Sequence, residues 1–151
     1  MSESKLNRTK RHLPHWELSG STYFVTFRLK TGEMAPAERQ LVFDHVMNGD
    51  DKFYQLFALV VMPDHVHLLV RPDRDIGLTR MMKGIKGVTA RLINELRDTS
   101  GRIWLSESYD RIIRDEAEAI EKQNYIIQNP VRAGMAERWQ DYPFVYRDEL
   151  W

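Results

Sequence analysis

Apolar and polar positions along this chain fall into blocks whose period switches between that of a strand and that of a helix. Tyr23 to Leu29 (YFVTFRL) is dense in aromatic and β-branched residues, which predicts a strand. Pro36 stands where a helix can open, and Ala37 to Met47 sets Leu41, Val42 and His45 at helical spacing. Asn48-Gly49-Asp50-Asp51 is turn chemistry. Phe53 to Met62 then reads as a buried strand, Pro63-Asp64 as a tight turn, and His65 to Arg71 (HVHLLVR) as the antiparallel partner. Ile76 to Arg97 is a long amphipathic helix with Leu78, Met81, Met82, Ile85, Val88, Leu92, Ile93 and Leu96 on its apolar side. Gly84 and Gly87 inside it each cost roughly 1 kcal/mol relative to Ala, so they are expected to mark close approach to the sheet or to a ligand. Ile103 to Tyr109 predicts a fourth strand, and Asp115 to Asn129 a second strong helix ended by Pro130.

The order strand, helix, strand, strand, helix, strand, helix matches a split βαβ pattern: an α+β, ferredoxin-like fold, one antiparallel sheet with helices packed on one face. Residues 1–151 are expected to form a single domain, with a basic segment at 1–20 and an aromatic tail at 135–151 (Trp139, Tyr142, Phe144, Tyr146, Trp151) that packs back. The longest apolar stretch, Leu56 to Pro63, is too short to span a bilayer, and Met1 to Arg11 lacks the apolar core of a secretory signal. The expectation is therefore a protein without a membrane partner. The absence of cysteine excludes disulfides, thiolate metal sites and a Cys nucleophile, and it fits a reducing cytoplasm.

Charge complicates the picture. The 22 basic and 22 acidic residues cancel, which argues mildly against nucleic acid, whose phosphates want Lys and Arg. Distribution matters more than the sum. Lys5, Arg8, Lys10 and Arg11 form an acid-free run, and Lys83, Lys86 and Arg91 lie in a basic stretch from Arg71 to Arg97, whereas Glu107 to Glu121 is acidic. One basic and one acidic face is one reading; solvated helix surfaces are the other.

Two constellations carry candidate chemistry. In a strand alternate side chains share a face, so His65 and His67 point the same way, about 7 Å apart at the backbone, and two neutral imidazoles so placed can converge on one cation. The plain alternative is two ordinary histidines at a strand end. On the C-terminal helix Tyr125 and Asn129 are i and i+4, on one face. A phenol with an ordinary pKa near 10 needs help to attack phosphorus, and the Asn129 amide can complete a site with the histidines. The plain alternative is a packed Tyr and an Asn that stops a helix before Pro130. Asp110-Arg111 reads more simply as a surface ion pair than as a substrate contact.

Taken in order, several segments resemble a known family. Leu13-Pro14-His15-Trp16, Tyr23 to Arg28, Val61-Met62-Pro63-Asp64-His65-Val66-His67-Leu68-Leu69, Tyr109 to Arg114, and Tyr125 to Gly134 (YIIQNPVRAG) together resemble the REP-associated tyrosine transposases, relatives of the IS200-type transposases in the HUH (His-hydrophobe-His) single-strand nuclease superfamily. The likeness implies a catalytic Tyr125 on the C-terminal helix and a Mg²⁺ or Mn²⁺ site at His65, His67 and Asn129. It further implies a covalent 5′-phosphotyrosine intermediate and a single-stranded substrate with a REP-like hairpin. Lys5, Arg8, Lys10, Arg11, Lys83, Lys86 and Arg91 are the expected DNA contacts. A monomer in the bacterial cytoplasm, associated with the nucleoid, is the expectation; a dimer exchanging its tyrosine helices is the alternative. The rival function is a non-catalytic nucleic-acid-binding module of the same fold, stacking bases on sheet aromatics. It explains the basic helix but not the joint presence of Tyr125, Asn129 and the His pair.

Overall fold

The computed structural model describes residues 20–149. Lys5, Arg8, Lys10, Arg11, the Leu13–Trp16 motif and Trp151 lie outside the described residues. The elements are β1 (Tyr23–Arg28), α1 (Pro36–Gly49), β2 (Tyr54–Val61), β3 (His65–Pro72), α2 (Gly77–Arg97), β4 (Tyr109–Ile112), α3 (Glu116–Ile127), a one-turn α4 (Asn129–Arg132), a 3₁₀ turn (Trp139–Asp141) and β5 (Val145–Arg147). The strands form one antiparallel sheet in the order β4-β1-β3-β2-β5. Its first four members have the split βαβ arrangement expected from the element order, and β5 extends it beyond β2.

Alternation along β3 divides the sheet into two faces. Val66, Leu68 and Val70 point to one side, where α1 and α2 pack together as the crossover helices of the βαβ units. The Tyr54 hydroxyl donates to the Val46 carbonyl of α1 at 2.6 Å, and the Trp104 indole, edge-on to Phe27, donates to the Thr89 hydroxyl of α2 at 3.0 Å. A two-pronged pair from Arg97 to the buried Glu38 carboxylate, at 2.6 and 3.0 Å, ties the end of α2 to the start of α1. The one-face arrangement thus describes the two crossover helices. The later α3 lies across the other face, which carries His67 and Arg71. All of β3 beyond His65 is buried, so its near-continuous apolar run reports cover on both sides.

Three details of α3 fix the place of its Tyr. Asp115 caps its N-terminus by accepting from the Glu118 N–H at 2.9 Å. Buried Glu118 then accepts from the Arg111 side chain of β4 at 2.6 Å and from the Arg114 N–H at 2.8 Å. In mid-helix Gln123 donates to two carbonyls, Phe57 at 2.9 Å and Asp148 at 2.8 Å. The first belongs to a bulge in β2 between Leu56 and Ala58, where the extra residue turns its carbonyl outward. The partner of Arg111 is therefore Glu118 on α3, not Asp110.

Three other sequence expectations are corrected. The fourth strand begins at Tyr109 rather than spanning Ile103 to Tyr109: Trp104 makes only a single bridge to Leu29, and Lys86 holds the segment after it away from regular pairing. Pro130 does not end the C-terminal helix. The helix breaks at Gln128, and Pro130, with no N–H to lose, sits in the first turn of α4. Finally, among the described residues nothing lies within 4 Å of a side chain built at Gly84 or Gly87, so close approach to the sheet is not their reason.

Candidate active site

His65 and His67 extend from the same face of β3, as the strand period requires, with ring centroids 4.7 Å apart. Each ring is held at Nδ1. The His65 Nδ1 is 2.7 Å from the Asp64 carboxylate, and the His67 Nδ1 is 2.7 Å from the Thr26 hydroxyl on β1. A carboxylate only accepts, so Nδ1 of His65 carries a proton, and Nε2 is the ring atom left to face a ligand. The Thr26 partner permits the same tautomer for His67. Burial, aided by His65, Arg28 and Arg132, pushes the His67 pKa down to about 3, so the ring is neutral. Two oriented imidazoles with acceptor Nε2 atoms and anchored Nδ1 atoms are the arrangement that divalent-metal ligation uses. The residues present fit a cation of that kind. Among the described residues no group of three or more His, Cys, Asp or Glu gathers to hold a metal.

Tyr125 reaches this pair from α3. Its ring is edge-on to His67 at 5.6 Å and to Phe24 at 5.9 Å, yet it is 45% exposed and open to a substrate. Arg132 grips it from the other side. The guanidinium lies 4.3 Å from the Tyr125 ring centroid and donates to the Tyr125 carbonyl at 2.8 Å. The helix break makes that grip possible: Arg132 is two turns beyond Tyr125, on the same side. Asn129 follows the break, is half-buried, and its side chain makes no hydrogen bond among the described residues.

The structure thus brings Tyr125, His65 and His67 together within one chain and leaves the Asn129 amide uncommitted one turn away. It does not bring the predicted cations of α2 to the same place. That helix is on the opposite face of the sheet. Lys86 gives its ammonium to the Leu105 and Ser106 carbonyls and the Ser108 hydroxyl, and burial followed by the nearby Arg102 pulls its pKa down. It ties a loop to the helix on that face. Arg91 pairs along the helix with Glu95 at 3.1 Å, and Lys83 is exposed.

Among the described residues the cations beside Tyr125 are Arg28, Lys122 and Arg132, and sequence reading had missed all three. Arg132 was within reach, being seven residues after Tyr125 on a helical stretch. Arg28 and Thr26 were not, because their place beside the histidines depends on the β1–β3 register, which pairs Arg28 with His65 and Thr26 with His67.

Residues 40–129, a span holding His65, His67, Tyr125 and Asn129, match the family model described as "Transposase IS200 like". A REP-associated tyrosine transposase of Escherichia coli (strain K12) is 23% identical over 133 residues, which are 84% of this chain and 76% of that protein. A Haemophilus influenzae protein assigned as a REP-associated tyrosine transposase is 26% identical over 101 residues, 60% of this chain; the match spans only 57% of that relative's length. Among solved structures, a REP-associated tyrosine transposase bound to a REP hairpin superposes with a TM-score of 0.71 at 23% identity, over 84% of this chain and 76% of that one. That superposition shows the shared fold.

Proposed function

Because the chain belongs to the IS200-like transposase family, we propose that it cuts and rejoins single-stranded, hairpin-forming DNA, with Tyr125 as nucleophile and Mg²⁺ or Mn²⁺ held by His65, His67 and Asn129. The observation that carries this reading is the Tyr125 ring lying 5.6 Å from the His67 ring of its own chain. The relatives named as REP-associated transposases, one of them solved with a REP hairpin, point to a hairpin of that type as substrate.

In the reaction the Tyr125 hydroxyl oxygen bonds to phosphorus as the bond from phosphorus to the 3′ oxygen breaks. The phenol proton leaves to solvent and the departing 3′ oxygen takes one up. A 5′-phosphotyrosine and a free 3′-OH result, and attack by a 3′-OH on the phosphotyrosine reverses the step. A bound divalent cation supplies charge neutralisation at the scissile phosphate. The chain's own residues do the rest. Asp64 and Thr26 fix the imidazoles, Arg132 holds the Tyr125 ring and carbonyl, and Arg28 and Lys122 provide positive charge for the strand. Since Tyr125 meets its own His67, the reading needs no second subunit, and a monomer suffices. No helix of the described residues is long and apolar enough to cross a membrane.

The test is a denaturing gel of the full chain mixed with labelled single-stranded DNA from the repeats flanking its gene, with Mn²⁺ or chelator. A band shifted by the mass of the protein and absent in chelator is expected. Tight binding on a native gel with no adduct in any metal would instead favour a module that binds the strand without cutting it.

A further inference from the structure

Beside Tyr125 the open side of the sheet forms a cleft of about 410 Å³ between α3 and the β4 edge. Its floor is Phe24, Thr26 and Arg28 of β1 together with His67, one wall is Lys122 and Tyr125, and the other is Tyr109. Tyr109 opens the Tyr109–Arg114 motif and has no part in the reaction as described. It pairs with Thr26 across the β1–β4 ladder, so its side chain shares the face of the histidines. The ring is 56% exposed, although Phe24 buttresses it edge-on at 6.2 Å. Its hydroxyl makes no hydrogen bond among the described residues. An aromatic ring fixed in orientation, solvent-facing and unneeded by the core is a platform for another flat ring.

The charges of the cleft agree. Arg28 and Lys122 make no ion pair among the described residues, and Lys122 rests its ammonium 5.3 Å from the Phe24 ring centroid. Among the described residues no carboxylate lines the cleft. Asp110, the acid nearest in sequence, pairs with Val25 and so points to the opposite face. Arg111, on the near face, is already spent on Glu118. An aromatic surface flanked by two uncommitted cations suits one repeating unit: a base with a phosphate on each side.

We propose that this cleft is a nucleobase subsite, in which the base of a nucleotide adjoining the cut phosphate stacks on Tyr109 while Arg28 and Lys122 bind the flanking phosphates. The subsite rests on the proposed function for which phosphate is cut, but not for the binding itself. It gives Tyr109 a role in choosing the strand that Tyr125 attacks, and it sets the strand's approach over the β1–β4 edge rather than over α2.

The test uses the full chain and a series of labelled hairpin strands in which one nucleotide at a time is abasic, with affinity read by fluorescence anisotropy. Tyr109→Ala should weaken the intact strand about tenfold, while Tyr109→Phe stays within about twofold of the parent. One abasic position should weaken the parent by a similar factor and cost Tyr109→Ala nothing more, the mark of two groups that meet. Arg28→Gln and Lys122→Gln should each flatten the salt dependence, by about 0.7 in log–log slope. Tyr109→Ala binding like the parent, or abasic losses that all multiply with it, would overturn the subsite; unchanged salt slopes in both cation variants would overturn its phosphate contacts. Circular dichroism verifies that each variant is folded. Failure of the proposed function reads differently: no adduct forms with any strand, while the pairing between Tyr109 and one base survives.

Discussion

The Tyr125 ring stands edge-on to the His67 imidazole of the same chain, with the two planes at 70°. The two residues come from different elements, a helix and a strand, and meet only because α3 crosses the face of the sheet that α1 and α2 leave open. The position of the phenol is therefore set by the anchors of α3, chiefly Gln123 on the β2 bulge and Glu118 on β4.

Replacing Tyr125 by Phe removes only the attacking oxygen from this arrangement. The variant should form no covalent adduct, keep its melting temperature within a degree or two, and bind hairpin DNA nearly as tightly as the parent. Paired denaturing and native gels check it. An adduct persisting in the variant would mean that another residue is the nucleophile.

The hydroxyl of Thr26 touches His67 from behind the proposed metal site. Thr26→Val keeps the volume and removes the partner of Nδ1. Losses of this kind lower metal affinity by about 10- to 100-fold. Titrating Mn²⁺ against adduct yield should show the midpoint rise by that factor with little change in the plateau. A midpoint that does not move would detach Thr26, and with it His67, from the metal.

Glu38 gives a stability test that is independent of catalysis. Its hydrogen bonds from Arg97 hold the carboxyl below its ordinary value of 4.5, helped by the Ala35 N–H and opposed by burial. A carboxyl depressed in the folded state stabilises the fold at pH above its unfolded value, and that contribution is lost as pH falls through the folded value. Glu38→Gln should therefore cost about 1–2 kcal/mol at pH 7, allowing for solvent around Arg97, and progressively less below about pH 4.5. Urea denaturation at pH 7 and pH 3.5 measures both. A difference that stays constant between the two would show that the charge of Glu38 is not what Arg97 holds.

The helical glycines divide cleanly. Gly49 closes α1 against the Tyr54 ring, and a methyl group there would collide with the phenol end of a buried, hydrogen-bonded side chain. Gly49→Ala should destabilise by roughly 1–3 kcal/mol. Gly84 and Gly87 meet nothing within 4 Å among the described residues, so alanine at either should stabilise by up to about 1 kcal/mol. Urea midpoints at constant m-value report all three. If alanine at 84 or 87 leaves the fold sound but weakens DNA binding, the remaining expectation for these glycines, approach to a ligand, would regain its place.

Much of this was legible in the chain. Aromatic and β-branched density placed β1, a buried apolar run placed β2, and period two put both histidines of β3 on one face; helical spacing and helix-stop chemistry placed α1, α2 and α3 and brought Tyr125 to a helix. The side of the sheet that α3 covers was not legible, because an amphipathic pattern records that a helix buries one stripe but not against which face. β5 was missed because Val145–Arg147 is too short to show alternation. The cations that stand beside Tyr125 were not legible for a related reason. Lys83, Lys86 and Arg91 are conspicuous as a cluster in sequence, whereas Arg28, Lys122 and Arg132 are scattered along the chain and assemble only through sheet register and the break at Gln128.

The lateness of β5 has a consequence for the chain as it is made. β2 is apolar but for Gln55, and among the described residues its outer edge is covered by Val145–Arg147, through pairs with Ala58, Leu59 and Val60. During synthesis β2 emerges and pairs with β3 long before its outer neighbour exists. In that interval a row of unsatisfied peptide groups flanked by leucine and valine faces the solvent, a surface on which two nascent copies can zip together. The aromatic tail that follows Gly134 is thus a guard as well as a buttress: with Phe144 bonded to Val61 and Gln123 gripping Asp148, its arrival turns an adhesive edge into an inert one.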